Sequence, residues 1–225
     1  MIVREHVGTA LVPGGDELRL YRRGHEFTLW LRGHELMSTR MSGSEEALAT
    51  MTLARLGKRN RPRLLVGGYG MGFTLRAALK LLPKPAEITV AELVPEIVAW
   101  ARGPMFELTA GCLDDSRVAV IEDDVANLIT RARGAYDAIL LDVDNGPEGL
   151  VRPANDRLYS ERGLRAAWSA LRPDGILAVW SAAADARFTA RLRSVEFVVD
   201  EVIVRARQNG KGPRHTIWFA RRRAR

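Results

Sequence analysis

Along residues 1 to about 40, apolar and polar positions alternate in short runs broken by turn residues. Val12-Pro13-Gly14-Gly15-Asp16, Arg23-Gly24 and Arg32-Gly33 separate the runs Glu17 to Tyr21, Glu26 to Leu31 and His34 to Met37. A period of two at that spacing predicts a β meander of three or four strands. So small a sheet needs a covering surface, which either the rest of the chain or a second subunit would supply. At Ser42-Gly43-Ser44-Glu45-Glu46 the pattern changes to a helix start, with serine as cap and acids in the first turn, and the helix runs to Leu56.

Strands and helices then alternate. Apolar runs at Leu64 to Gly67, Ile88 to Ala91, Arg117 to Ile121, Tyr136 to Leu141 and Ile176 to Trp180 read as buried parallel strands. Helical spacing lies between them at Phe73 to Leu82, Pro95 to Arg102, Val125 to Arg133 and Glu161 to Leu171, with another helix near Ala184 to Arg193. The alternation predicts an α/β domain, a parallel sheet with helices on both faces. Two last runs, Glu196 to Arg205 and Thr216 to Ala220, are joined by Gln208-Asn209-Gly210-Lys211-Gly212-Pro213, a connection short enough only for antiparallel strands. The division expected is residues 1–41 as meander and 42–225 as the α/β domain. Arg172-Pro173-Asp174-Gly175 reads as a turn, and roughly residues 145 to 160 as a long loop of the kind that tends to carry function.

The candidate chemistry clusters at strand ends. Gly67, Gly68, Gly70 and Gly72 follow the Leu64-Leu65-Val66 strand, where glycine permits positive φ and close approach of a ligand. Glu92 stands about 20 residues further on, at the end of the next strand, where a ribose diol would be held. Asp123 and Asp124 end a third strand; one would cap the Val125 helix, and Asp123 is expected to face a base. Asp142 and Asp144 end a fourth, as amine anchor and candidate base respectively, with an Asx turn at Asp144-Asn145-Gly146 as the plain alternative. Tyr69 and Met71 either touch a ligand or pack in the core, Tyr159 is a candidate for an acceptor pocket, and the histidines carry no pattern beyond packing.

Bulk properties narrow the class. The net charge is +7, but only four of the 34 basic residues are lysine and no aromatic-interleaved basic stripe occurs, so Arg221-Arg222-Arg223-Ala224-Arg225 reads as a solvated tail rather than a nucleic-acid contact. Cys112 is the only cysteine and His6, His25, His34 and His215 are scattered, which predicts metal-free chemistry. No apolar run approaches a membrane span and no signal-peptide pattern opens the chain, so a cytoplasmic location is expected.

Taken together, the meander, the linking helix, the Gly67 to Gly72 loop, Glu92, Asp123, the Asp142 to Pro147 segment and Leu171-Arg172-Pro173-Asp174-Gly175 resemble the spermidine synthase-like branch of the class I S-adenosylmethionine-dependent methyltransferase superfamily. The resemblance implies a Rossmann-like fold with a mostly parallel seven-stranded sheet and an antiparallel C-terminal hairpin. It implies a donor, S-adenosylmethionine or its decarboxylated form, with Glu92 on the ribose, Asp123 by the adenine and Asp142 beside the reacting centre. Where spermidine synthases carry an aspartate in the glycine loop this chain has Gly70, their tyrosine-histidine pair aligns with Ala49 and Thr50, and their Asp-Ser-x-Asp-Pro loop is compressed to Asp142-Val143-Asp144-Asn145-Gly146-Pro147. Gly70 removes a charge that would repel the carboxylate of intact S-adenosylmethionine. The sequence therefore favours methyl transfer to a small amine-bearing acceptor, with polyamine aminopropyl transfer as the second reading. A non-catalytic nucleotide-binding dimer is the third, and the acids at Asp142 and Asp144 argue against it. A homodimer through the meander is the expected assembly.

Overall fold

The computed structural model describes residues 3–143 and 156–224. Its first sheet is a four-stranded antiparallel meander of β1 (Glu5–Leu11), β2 (Glu17–Arg23), β3 (Glu26–Leu31) and β4 (His34–Ser38), in that spatial order. Alternation assigns its faces. Leu18, Leu20, Phe27, Leu29 and Leu31 are buried, whereas Glu17 and Arg19 face solvent. The covering surface comes from the chain itself, because the buried meander residues join one apolar cluster with Leu48, Val94, Ile97 and Trp100. Contact there is tight: a Cβ at Gly8 would lie 2.7 Å from Trp100 Nε1, so glycine lets β1 rest on the indole.

The second sheet has seven strands, β5 (Arg63–Gly67), β6 (Glu87–Ala91), β7 (Val118–Ile121), β8 (Tyr136–Leu141), β9 (Leu171–Ser181), β10 (Phe197–Arg205) and β11 (Arg214–Arg222), ordered β10-β11-β9-β8-β5-β6-β7. The pairs from β9 through β8, β5 and β6 to β7 are parallel; β11 pairs antiparallel with both β9 and β10. This is the seven-stranded sheet with a C-terminal hairpin that the family resemblance implies. Eight helices are described: α1 (Gly43–Leu56), α2 (Phe73–Leu81), α3 (Pro95–Arg102), α4 (Phe106–Thr109), α5 (Val125–Arg131), α6 (Asp156–Tyr159), α7 (Glu161–Ala170) and α8 (Ala186–Ser194). Period-two burial divides the strands between two cores. Leu64, Val66, Ala138 and Leu140 face α1 to α3 and the meander, while Leu65, Ile139 and Leu141 face α5, α7 and α8.

Three local readings change. The Arg172 to Gly175 turn is absorbed into β9, where Asp174 has a φ of 60° and the register with β8 shifts between Tyr136 and Ala138. Buried Asp137 holds the irregularity by accepting from Arg172 Nη1 at 2.9 Å and from the Arg63 N–H at 2.8 Å. Ser42 takes the N-cap position of α1 without a side-chain cap bond. Short α4 and the 3₁₀ turn Cys112–Asp114 occupy a stretch that carried no periodicity in the sequence. No described helix is long and apolar enough to cross a membrane.

Candidate active site

Strand order reverses at β5 and β8, with β6 and β7 built outward on one side and β9 on the other, so a crevice opens beyond the carboxyl ends of these two strands. The meander roofs it, and Leu18, Leu29, Leu31 and Met37 form an apolar wall. Of the four loop glycines proposed for ligand contact, Gly68 and Gly70 line the cleft and Gly67 and Gly72 do not. Gly67 instead makes room for packing, as a Cβ there would lie 2.9 Å from Val125 Cγ2. Gly72 takes the left-handed N-cap of α2, with its α-carbon face against the Tyr69 ring. Gly68, at φ 80°, passes so near the Asp142 carbonyl that a Cβ would come within 2.6 Å of its oxygen. At Gly70 the thioether of Met37 covers the loop, its Cε 3.0 Å from where a Cβ would stand.

On the β6 and β7 side, carboxylates are tied to local backbone. Glu92, 5% exposed, accepts the Tyr69 N–H at 2.8 Å and the Val94 N–H at 2.9 Å, joining the glycine loop to the start of α3. Burial pushes its pKa up while those backbone bonds pull it down. Asp123 accepts from Asn127 Nδ2 and from the Asp124 N–H, both at 2.7 Å, and the Asn127 bond is the chief cause of its lowered pKa. Asp124 caps α5 through the Ala126 N–H at 2.8 Å and meets Arg157 on its other oxygen. Both aspartates line the cleft, one of them as helix cap.

On the β8 side the arrangement differs. Asp142 is half-buried and accepts from Thr74 Oγ1 at 2.8 Å, and the same hydroxyl lies 3.2 Å from the Glu45 carbonyl oxygen. Glu45, from the first turn of α1, is 5% exposed and lines the same cleft. Burial and the charge of Asp142 drive the Glu45 pKa up, and burial raises that of Asp142 against the pull of Thr74. Such a pair retains a proton where isolated carboxyls would have lost theirs. Ser44 Oγ donates to Glu45 Oε2 at 2.6 Å and lies 2.8 Å from His215 Nδ1, whose ring stands edge-on to Trp180 with centroids 4.7 Å apart.

Glu45, Ser44 and His215 were missed as site residues because Glu45 reads as an ordinary first-turn acid, and its partners are distant in sequence. Tyr69 and Met71 are core residues, with the Tyr69 hydroxyl 3.3 Å from Cys112 Sγ. Tyr159 is buried against Phe188 rather than in the cleft, and its hydroxyl reaches the Val143 carbonyl. Asp144 and its Asx turn lie outside the described residues. Among the described residues, every charged side chain lining the cleft is an acid: Glu45, Glu92, Asp123, Asp124 and Asp142.

Comparisons with known proteins agree with this fold. Residues 41–191 match the spermine/spermidine synthase domain. The chain is 32% identical to polyamine aminopropyltransferase 2 of Pseudomonas aeruginosa over 123 residues, 53% of this chain and 33% of that protein. It is 34% identical to putrescine N-methyltransferase 1 of Nicotiana tabacum over 119 residues, 52% of this chain and 30% of that one. These matches thus span about a third of the relatives' own length. In fold, the chain is similar to spermidine synthase from Thermotoga maritima, with a TM-score of 0.74 at 18% identity over 96% of this chain and 72% of that one. With two thirds of its length matched and its fold shared, the chain belongs to the spermine/spermidine synthase domain family.

Proposed function

We propose that the protein transfers an aminopropyl group from decarboxylated S-adenosylmethionine to a small amine. The observation that carries this reading is the sign of the cleft: five acids and no cation among the described lining residues. Decarboxylated donor brings a sulfonium and an ammonium, and the acceptor brings another ammonium, so each charge meets carboxylates. Intact S-adenosylmethionine adds a carboxylate of its own. A like-charge pair ~4 Å apart costs roughly 4 kcal/mol at an effective dielectric of 20.

Gly70 alone favours methyl transfer, but two features weigh against that preference. Met37 packs against the loop at Gly70, and the Asp142–Glu45 pair, which retains one proton, keeps one negative charge on the α1 side. Family membership and the similarity to aminopropyltransferases support the same donor. The putrescine N-methyltransferase similarity keeps methyl transfer as the outcome against which to test.

The proposed roles follow from placement. Glu92, fixed by two backbone N–H groups, has acceptor capacity left for the ribose hydroxyls. Asp123 and Asp124 would border the adenine. Asp142 and Glu45 hold the amine and take its proton, while Asp144 keeps its place as a further candidate base. Sulfonium chemistry asks little more of the protein, since the leaving thioether is neutral and the main task is alignment.

Calorimetric titration with both donors, followed by mass spectrometry of products from simple mono- and diamines, tests the proposal. Decarboxylated donor should bind at least about tenfold more tightly, a difference of roughly 1.4 kcal/mol. Tighter binding of the intact donor with methylated products would replace it with methyl transfer. Donor binding without any product would restore the non-catalytic reading.

A further inference from the structure

We infer that Ser44 and His215 form a proton exit from Glu45 to solvent, making them positioning residues for the transfer reaction. This rests on the aminopropyl-transfer reading above, and it concerns a step that any alkylation of an ammonium must include. An acceptor ammonium and a sulfonium donor yield a secondary ammonium, a neutral thioether and one proton. The ammonium loses that proton first. Its freed lone pair forms the new N–C bond as the C–S bond breaks, with the bonding pair left on sulfur. One proton must therefore leave the cleft.

The chain of atoms is continuous. Glu45 lines the cleft at 5% exposure, Ser44 Oγ lies 2.6 Å from Glu45 Oε2, and His215 Nδ1 lies 2.8 Å from the same Oγ. The first link is buried, whereas His215 is half-buried and reaches the boundary with solvent. Once the ionised member of the Asp142–Glu45 pair has taken the amine proton, Glu45 passes a proton to Ser44 Oγ as Ser44 gives its own hydroxyl hydrogen to His215 Nδ1. The imidazolium then releases a proton to water. No oxidant or further reactant is needed.

Local packing holds the two ends together. Gly43 donates its N–H to the Ala206 carbonyl at 2.8 Å, and a Cβ on Gly43 would lie 2.6 Å from the Arg207 carbonyl carbon. Only glycine lets the first turn of α1 rest so closely on the β10–β11 hairpin, and that approach brings Ser44 to His215. Trp180 fixes the ring from β9. Desolvation lowers the His215 pKa, so the ring is neutral and able to accept when the proton arrives. The charged neighbours of the relay are Asp142 just after β8, Glu46 on α1, and Arg214 beside His215 on β11, opposite Arg205 of β10. Glu46 is itself held by Gln208 Nε2 at 2.8 Å, on the outer side of the helix.

Two variants separate proton conduction from architecture. His215→Asn keeps a group able to hydrogen-bond Ser44 but cannot carry a proton, and Ser44→Ala breaks the middle link. Both should fold with unchanged circular dichroism and lower kcat on the order of tenfold, below the 10²–10⁴-fold of a group that transfers the proton directly. KM should stay near the wild-type value, the pH profile of kcat should shift, and added imidazole should restore part of the rate in His215→Asn. Unchanged kcat, or a lower kcat with an unmoved pH profile and no imidazole rescue, would overturn the proposal.

A second readout needs no turnover. The NMR titration midpoint of His215 should rise in Ser44→Ala, because the neutral ring loses the hydroxyl that donates to Nδ1 in the relay. An unmoved midpoint overturns the relay even if the enzyme is active. A wild-type protein that alkylates no amine, yet shows the moved midpoint, would sink the activity reading and leave the coupling in place.

Discussion

The two sides of the cleft treat their acids in opposite ways. On the β6 and β7 side, Glu92, Asp123 and Asp124 spend oxygens on backbone N–H groups and near neighbours, within a few residues or inside the glycine loop, and Asp124 also meets the more distant Arg157. On the β8 and α1 side, Glu45 and Asp142 share one volume and are bonded through hydroxyls, with no cation paired to either among the described residues. The consequence is electrostatic. Asp123 is held below the ordinary carboxylate range, whereas Glu45 and Asp142 are both pushed above it. Fixed anions suit the recognition of hydroxyls and a base; carboxyls that readily exchange a proton suit the reacting amine. Glu92 stands between the two, buried like the second group and anchored like the first.

The sharpest way to break this contrast is Asp142→Asn. If the β8 side handles the amine proton, kcat should fall by roughly 10²–10⁴-fold while calorimetric affinity for the donor's nucleoside portion stays the same. A loss of nucleoside binding of the same size would instead make the two sides one binding surface. The complementary change, Glu92→Ala, should weaken donor binding by about 1–3 kcal/mol. It also leaves the buried Tyr69 and Val94 N–H groups without their acceptor, so the melting temperature should fall as well. Unaltered donor affinity in a folded Glu92→Ala protein would remove this residue from the ribose site.

The smallest effect concerns stability and has a definite sign. The folded-state pKa of Glu45, pushed up to about 8, lies above its unfolded value, so the neutral carboxyl is favoured by folding. Its stabilising contribution is full at pH values below the unfolded pKa and is lost as pH rises through the folded one. One proton changes stability by at most about 1.4 kcal/mol per pH unit in that window. Glu45→Gln, permanently neutral, should flatten denaturant-measured stability between roughly pH 5 and 8, where the wild type declines. An equal decline in both proteins would mean that Glu45 titrates as it does in the unfolded chain. The corresponding change on the other side of the cleft would not flatten the curve, since Asp123 is shifted downward.

Much of this architecture was legible in the chain because its causes are local. Period-two burial marked the meander and the sheet, proline and glycine marked the breaks, and the short Gln208 to Pro213 connection compelled an antiparallel hairpin. Glu92 and the aspartates at 123 and 124 were legible for the same reason, since each stands at a strand end and bonds to backbone close by. Even there, sequence spacing could not separate Gly68 and Gly70, which face the cleft, from Gly67 and Gly72, which serve packing.

The sequence by itself determined the fold class, the crevice and the acids on its β6 and β7 side, because each of these is set by residues within one strand–turn–helix unit. On the other side the sequence marked Asp142, and tertiary structure alone decided its partners. Thr74 reaches Asp142 across 68 positions and Ser44 reaches His215 across 171, and nothing in either local stretch marks the partner. It also decided the environment that gives those groups their chemistry. Glu45 on an isolated helix is a solvated first-turn acid; enclosed beneath Leu29, Leu31 and Met37 and beside Asp142, it becomes a carboxyl whose proton is held by desolvation and a neighbouring charge.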